Sequence, residues 1–166
     1  LTVLQELSKQ GYPVQTKTVQ EGLKKTIWGG RFSVIDRNPL FVVDGAHNPD
    51  AARKLEESVY RYFKGKDIYF IMGMFRDKDY DQVLEIMAPY AKEIYTVSTV
   101  PETRTLTAVE LAEAAKKYNP HVYPVESLEK AAEMAYEKAG REDVILAFGS
   151  LSFIGKMTEI VMKKNR

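Results

Sequence analysis

The sequence contains no cysteine, which removes disulfide cross-links, thiolate nucleophiles and thiolate metal sites from consideration. That composition suits a reducing cytoplasm, where we expect the protein to work. No signal peptide and no long apolar span is visible in these 166 residues. The formal net charge is +1 and no run of four like charges occurs, which leaves no bulk attraction to nucleic acid or to a membrane surface. There is no G-x-G-x-x-G for a dinucleotide. A P-loop is missing as well. The stretch from Gly149 to Met157 imitates one, but it is a residue too long before Gly155, and Met157 stands where Ser or Thr would hold magnesium. No initiator methionine precedes Leu1, which falls in what reads as a helix, so we expect a piece of a longer protein.

What is present is ordinary in bulk and specific in detail. At 166 residues, 45% hydrophobic and 28% charged, the chain is long enough to bury one core. Its organising stretch is Leu40-Phe41-Val42-Val43-Asp44-Gly45-Ala46-His47-Asn48-Pro49. The four apolar residues read as a strand buried on both faces, as in a parallel sheet. Asn48-Pro49 then starts a helix, with an N-cap side chain followed by proline at the first helical position. Asp44, Gly45 and His47 therefore sit at the carboxyl end of a core strand, where open α/β sheets bind ligands. Equally, they form a polar turn with a capping aspartate.

The remaining pattern alternates. Residues 1–10 place Val3, Leu4 and Leu7 on one helical face, and a second helix is expected over 19–25 with Thr18 as its cap. Strands are expected at 31–36 (Phe32, Val34 and Ile35 inward), 40–44, 67–74, 92–98, 121–124 and 144–148. Helices are expected at 49–63 (Ala52, Leu55, Val59 and Tyr62 inward), 80–87, 107–118, from Ser127 onward, and over the C-terminal segment with Ile154, Met157 and Val161 together. Thr107 and Glu110 form a capping box. Strands separated by amphipathic helices imply right-handed βαβ units. The fold class is α/β: three layers around a mainly parallel sheet with one antiparallel edge strand.

Such a sheet gathers the residues after each strand on one rim. Asp44 and His47, then Arg76-Asp77-Lys78-Asp79, then Ser98, Thr99 and Arg104, then Glu126, then Gly149 and Ser150 become neighbours there. Each has a plainer reading. Arg31 can be a surface arginine in a Gly-Gly-Arg turn, Lys78 can be neutralised by its flanking aspartates, His47 can bond at the helix start, and Ser150 can cap the last helix. His121 reads as structural.

Trp28-Gly29-Gly30-Arg31-Phe32, Pro39 and Asp44 to Pro49, followed by Asp77-Lys78-Asp79 and Gly149-Ser150-Leu151, resemble the C-terminal domain of the folylpolyglutamate synthase/dihydrofolate synthase family, within the Mur ligase superfamily. The resemblance runs from about Gly22 to the C-terminus. It implies a Rossmann-like domain over 29–166, with 1–28 as the end of a preceding ATPase domain and its linker. It also implies an ATP-dependent amide ligase, in which a folate or dihydropteroate carboxylate is phosphorylated and L-glutamate attacks the acyl phosphate. ATP and Mg2+ would be held mainly by the N-terminal ATPase domain, with no metal ligand expected in this part. Carried over by position, Arg31, Asp44 and His47 would bind nucleotide, Arg31 and Lys78 would act in catalysis, and Lys78 and Ser150 would meet glutamate. Gly29, Ser33 and Ser152 depart from the family, which commonly has proline, an acid and an aromatic residue there. The competing readings are a stand-alone nucleotide- or metabolite-binding module and a Mur peptide ligase domain.

Overall fold

The computed structural model describes residues 2–26, 29–99 and 103–164. Two helices come first, α1 (Thr2–Lys9) and α2 (Thr16–Lys25), and neither buries a residue. The apolar face of α1 stays open, with Val3 72% exposed. α2 starts earlier than expected. Gln15 occupies its N-cap position without a side-chain bond, and Thr18 lies inside the helix. Trp28 lies outside the described residues, as does Leu1.

Six strands then form one sheet: β1 (Ser33–Arg37), β2 (Leu40–Asp44), β3 (Ile68–Met72), β4 (Glu93–Val97), β5 (Val122–Val125) and β6 (Val144–Phe148). Their order is β1-β2-β6-β3-β4-β5, and every pair is parallel except β1 with β2. β3 and β6 are buried at every position, as central strands covered on both faces must be.

Alternation along the strands sends side chains to two separate cores. Val42, Phe70, Met72, Ile94, Leu146 and Phe148 face one layer, with α3 (Pro49–Tyr62), α4 (Tyr80–Met87) and α5 (Ala108–Ala115). Phe41, Val43, Tyr69, Ile71, Tyr95, Ile145 and Ala147 face the other, with α6 (Leu128–Lys138) and α7 (Leu151–Lys164). The Asn48, Thr107 and Ser127 side chains cap α3, α5 and α6 by accepting from the backbone N–H three residues on.

Three further details differ from the sequence reading. Tyr62 is 58% exposed and Phe63, the residue after α3, is buried in its place. The chain leaves helical geometry at Phe63 (φ −118°), which swings its ring onto the core. In β1 the register shifts between Val34 and Asp36, and this bulge leaves Val34 45% exposed. α5 ends at Ala115, short of Tyr118, whose ring is half-buried and whose hydroxyl donates to Asp81.

Candidate functional site

β6 lies between β2 and β3, yet its following helix covers the opposite face from theirs. Loops that diverge to opposite faces open a crevice at the carboxyl ends of the strands. A cavity of about 210 Å³ occupies that place, lined by His47, Phe75, Lys78, Arg104, Ser150, Leu151 and Ser152. The loops are pressed together by glycine. A Cβ at Gly45 would stand 2.5 Å from the Leu151 side chain and 3.3 Å from the Gly30 carbonyl, which brings the Arg31 turn against the same rim.

Asp44 builds that turn. Its Oδ2 accepts from the Phe32 N–H at 2.7 Å and its Oδ1 from the Ala46 N–H at 2.8 Å. Phe32 adopts a left-handed φ of +43°, unfavourable for an aromatic residue, and is held there by Asp44 and by stacking on Phe63 at 5.4 Å. Two carboxylate lone pairs remain for further donors. Arg31 itself is exposed, and among the described residues its guanidinium has no partner. Asp44→Ala strands two amides, one on fully buried Ala46. The expected loss is about 1–3 kcal/mol of folding stability. Urea denaturation measures it, and an unchanged midpoint would remove Asp44 from its structural role.

His47 Nδ1 lies 2.7 Å from the Gly45 carbonyl, which can only accept. The Nδ1 proton is thereby assigned, and Nε2 is left as the ring atom available to a ligand. Ser150 is 1% exposed, accepts from the Ser152 N–H at 3.1 Å and bonds the Ser152 hydroxyl at 2.8 Å. It caps α7, the plainer of its two readings, while also lining the cavity.

Lys78 does not follow its plainer reading. Asp77 is taken by Arg104 (Nη2 to Oδ2, 2.7 Å), and Asp79 caps α4 through the Gln82 N–H and side chain. Among the described residues the Lys78 ammonium has no hydrogen-bond or ion-pair partner. Its loop is clamped to the segment after β4. The Arg76 N–H donates to the Arg104 carbonyl, the Leu106 N–H to the Met74 carbonyl, and Phe75 pairs with Thr105. The sequence reading placed Arg104 on the rim without a role and missed Phe75 and Leu151. An aromatic two residues beyond a glycine strand end was the available signal for Phe75, and the Gly149-Ser150-Leu151 motif was that for Leu151.

A second clamp holds the same loop. Arg76 donates to both Glu110 oxygens at 2.9 and 2.8 Å. That contact, with the Thr107 N–H and hydroxyl, holds the Glu110 carboxyl down at about 2. A depressed folded value stabilises above the unfolded value and loses that effect as pH falls toward 2. Glu110→Gln should therefore lower the melting temperature at pH 6 and converge on the parent protein as pH approaches 2.5. A constant difference across that window would refute the linkage.

Among the described residues no group of three or more His, Asp or Glu side chains is placed to hold a metal ion. No helix among them is long and apolar enough to cross a membrane.

Comparison with known proteins bears on this rim. Residues 30–151 match the family described as Mur ligase, glutamate ligase domain. The chain is 32% identical over 167 residues to the dihydrofolate synthase/folylpolyglutamate synthase of Buchnera aphidicola subsp. Acyrthosiphon pisum, covering 96% of this chain and 38% of that protein. It is 26% identical to the Escherichia coli enzyme of the same name, over 96% of this chain and 37% of the relative. Among solved structures it is similar to E. coli FolC in complex with DHPP and ADP (TM-score 0.87, 25% identity, 99% of this chain and 39% of that one). It is also similar to folylpolyglutamate synthase from Thermotoga maritima (TM-score 0.75, 28% identity, 97% and 37%). The chain thus spans somewhat under two fifths of the E. coli and Buchnera enzymes. With the family match extending over most of its length, this chain belongs to the Mur ligase family as a glutamate ligase domain.

Proposed function

We propose that this chain is the C-terminal part of an ATP-dependent ligase that joins L-glutamate to a folate or dihydropteroate carboxylate through an acyl phosphate. The observation that carries the reading is the convergence of the Arg31 turn, Asp44, His47, Lys78 and Ser150 on one rim of a domain with no phosphate cradle of its own. Residues 1–28 are the end of the preceding ATPase domain and its linker, and 29–166 the ligase domain. That ATPase domain supplies the P-loop and most contacts to ATP and Mg2+. The setting is the cytoplasm.

Within this chain, Arg31 is free to meet the terminal phosphate, where negative charge develops during transfer. Asp44 has lone pairs left for the ribose hydroxyls, and His47 Nε2 lies beside the nucleotide. Lys78 offers an unpaired cation to the glutamate carboxylate or the acyl phosphate, with the Ser150 hydroxyl alongside. Closure of the two domains on one another excludes water that would hydrolyse the acyl phosphate.

The test is ATP turnover by the full-length protein with L-glutamate and a panel of folates, dihydropteroate and muramyl peptides. ADP release dependent on glutamate and a pteroate is expected. Muramyl peptides accepted in their place, or amide formation by this chain alone, would overturn the reading.

A further inference from the structure

Lys78 carries a carboxylate on each side in sequence, and the obvious fate of its ammonium is to fold back on one of them. The fold prevents this from a distance. Arg104, 26 residues further on, reaches Asp77 with a 2.7 Å contact and lays its guanidinium 4.9 Å from the centre of the Phe75 ring. The pair is about half exposed, so its direct contribution to stability is small. Its geometry has a different consequence. A planar guanidinium that is both stacked and hydrogen-bonded is preorganised, whereas a lysine ammonium on a flexible stem competes poorly for the same oxygen. The Arg104 backbone is itself fixed by the Arg76 N–H, so the side chain starts from a set position.

We infer that Arg104 is a positioning residue: by holding the Asp77 carboxylate it keeps the Lys78 ammonium unpaired at the cavity with His47 and Ser150, ready for an anionic group of the ligand. The Asp77 carboxyl is held below its ordinary range chiefly by this Arg104 hydrogen bond, with the Lys78 charge a lesser cause. That ranking agrees with the division of partners. The identity of the ligand as glutamate rests on the ligase reading; the liberation of Lys78 does not.

Two experiments separate these. In this chain, brief acetylation with an N-hydroxysuccinimide ester followed by peptide mass spectrometry reads how free each lysine amine is. Arg104→Ala should let Asp77 engage Lys78 and slow its labelling roughly two- to fivefold, the range an exposed ion pair supports. Lys130, paired with Glu133 on α6, should be labelled as before. The double variant R104A/D77N should return Lys78 to the parent rate, and Arg104→Lys, whose ammonium lacks the planar fork that favours the guanidinium, should fall between the parent and R104A. An unchanged rate in R104A, or a double variant as slow as R104A, overturns the proposal. In the full-length protein, R104A should raise KM for glutamate several-fold with kcat within about twofold, and D77N should rescue it. A guanidinium that touches substrate directly would give no rescue, which also overturns it. Absence of glutamate-dependent turnover in the parent protein would sink the ligase reading while the labelling result stood.

Discussion

Arg31→Ala in the full-length protein is expected to lower kcat/KM about 30- to 1000-fold, equivalent to roughly 2–4 kcal/mol of transition-state stabilisation. The melting temperature should not change. Both halves of that expectation come from one observation. The Arg31 guanidinium is exposed and makes no hydrogen bond or ion pair with the described residues, so deleting it removes no polar interaction that the fold uses. The turn that carries it is nevertheless rigidly placed, by the Asp44 bond to Phe32 and by the packing of Gly30 against Leu151 and Ile154. A free charge on a fixed turn costs little reorganisation when it meets a transferring phosphoryl group. Equal kcat/KM for the two proteins would exclude Arg31 from the mechanism. A fall in melting temperature would show that the side chain supports the turn itself.

The second large effect concerns folding. Gly149→Ala should destabilise the chain by about 3–5 kcal/mol, the combined scale of backbone strain and forced overpacking. Gly149 has φ +117°, outside the range other L-residues adopt readily, and a Cβ there would stand 2.6 Å from the Gly73 carbonyl and 2.8 Å from Met74 sulfur. Two strand ends would have to part. Gly73 cannot yield, because its own far side faces the Thr99 methyl and the Val97 carbonyl. The comparison is Gly155→Ala, inside α7, where a Cβ meets nothing and stability should rise by about 0.5–1 kcal/mol. Chemical denaturation of both variants checks the pair. A loss under 1 kcal/mol at Gly149 would mean that the β3 and β6 loops are not locked together.

Much of this molecule could be read before any coordinates. β2, α4 and β6 occupy the expected residues, the Thr107–Glu110 capping box is formed, and Ile154, Met157 and Val161 are buried together on α7. These features rest on neighbours within a few residues or on a strong period, and such interactions are encoded locally. Misreadings fell where a single step of backbone geometry intervened. The β1 bulge turned Val34 outward, and the end of α3 exchanged Tyr62 for Phe63.

The amino-acid sequence alone therefore determined the strands, the helices, their parallel arrangement and the rim on which polar residues would gather. It could not determine which charge each of those residues would meet. Lys78 has aspartates at both sides, and nothing local forbids it to pair with either. Only the folded chain brings Arg104 to Asp77, Glu110 to Arg76 and the Phe32 amide to Asp44, across separations of 27, 34 and 12 residues. Electrostatic partnership depends on distance in space, and chain order constrains that distance only over a few residues. The difference between a neutralised lysine and an available one was settled by tertiary packing.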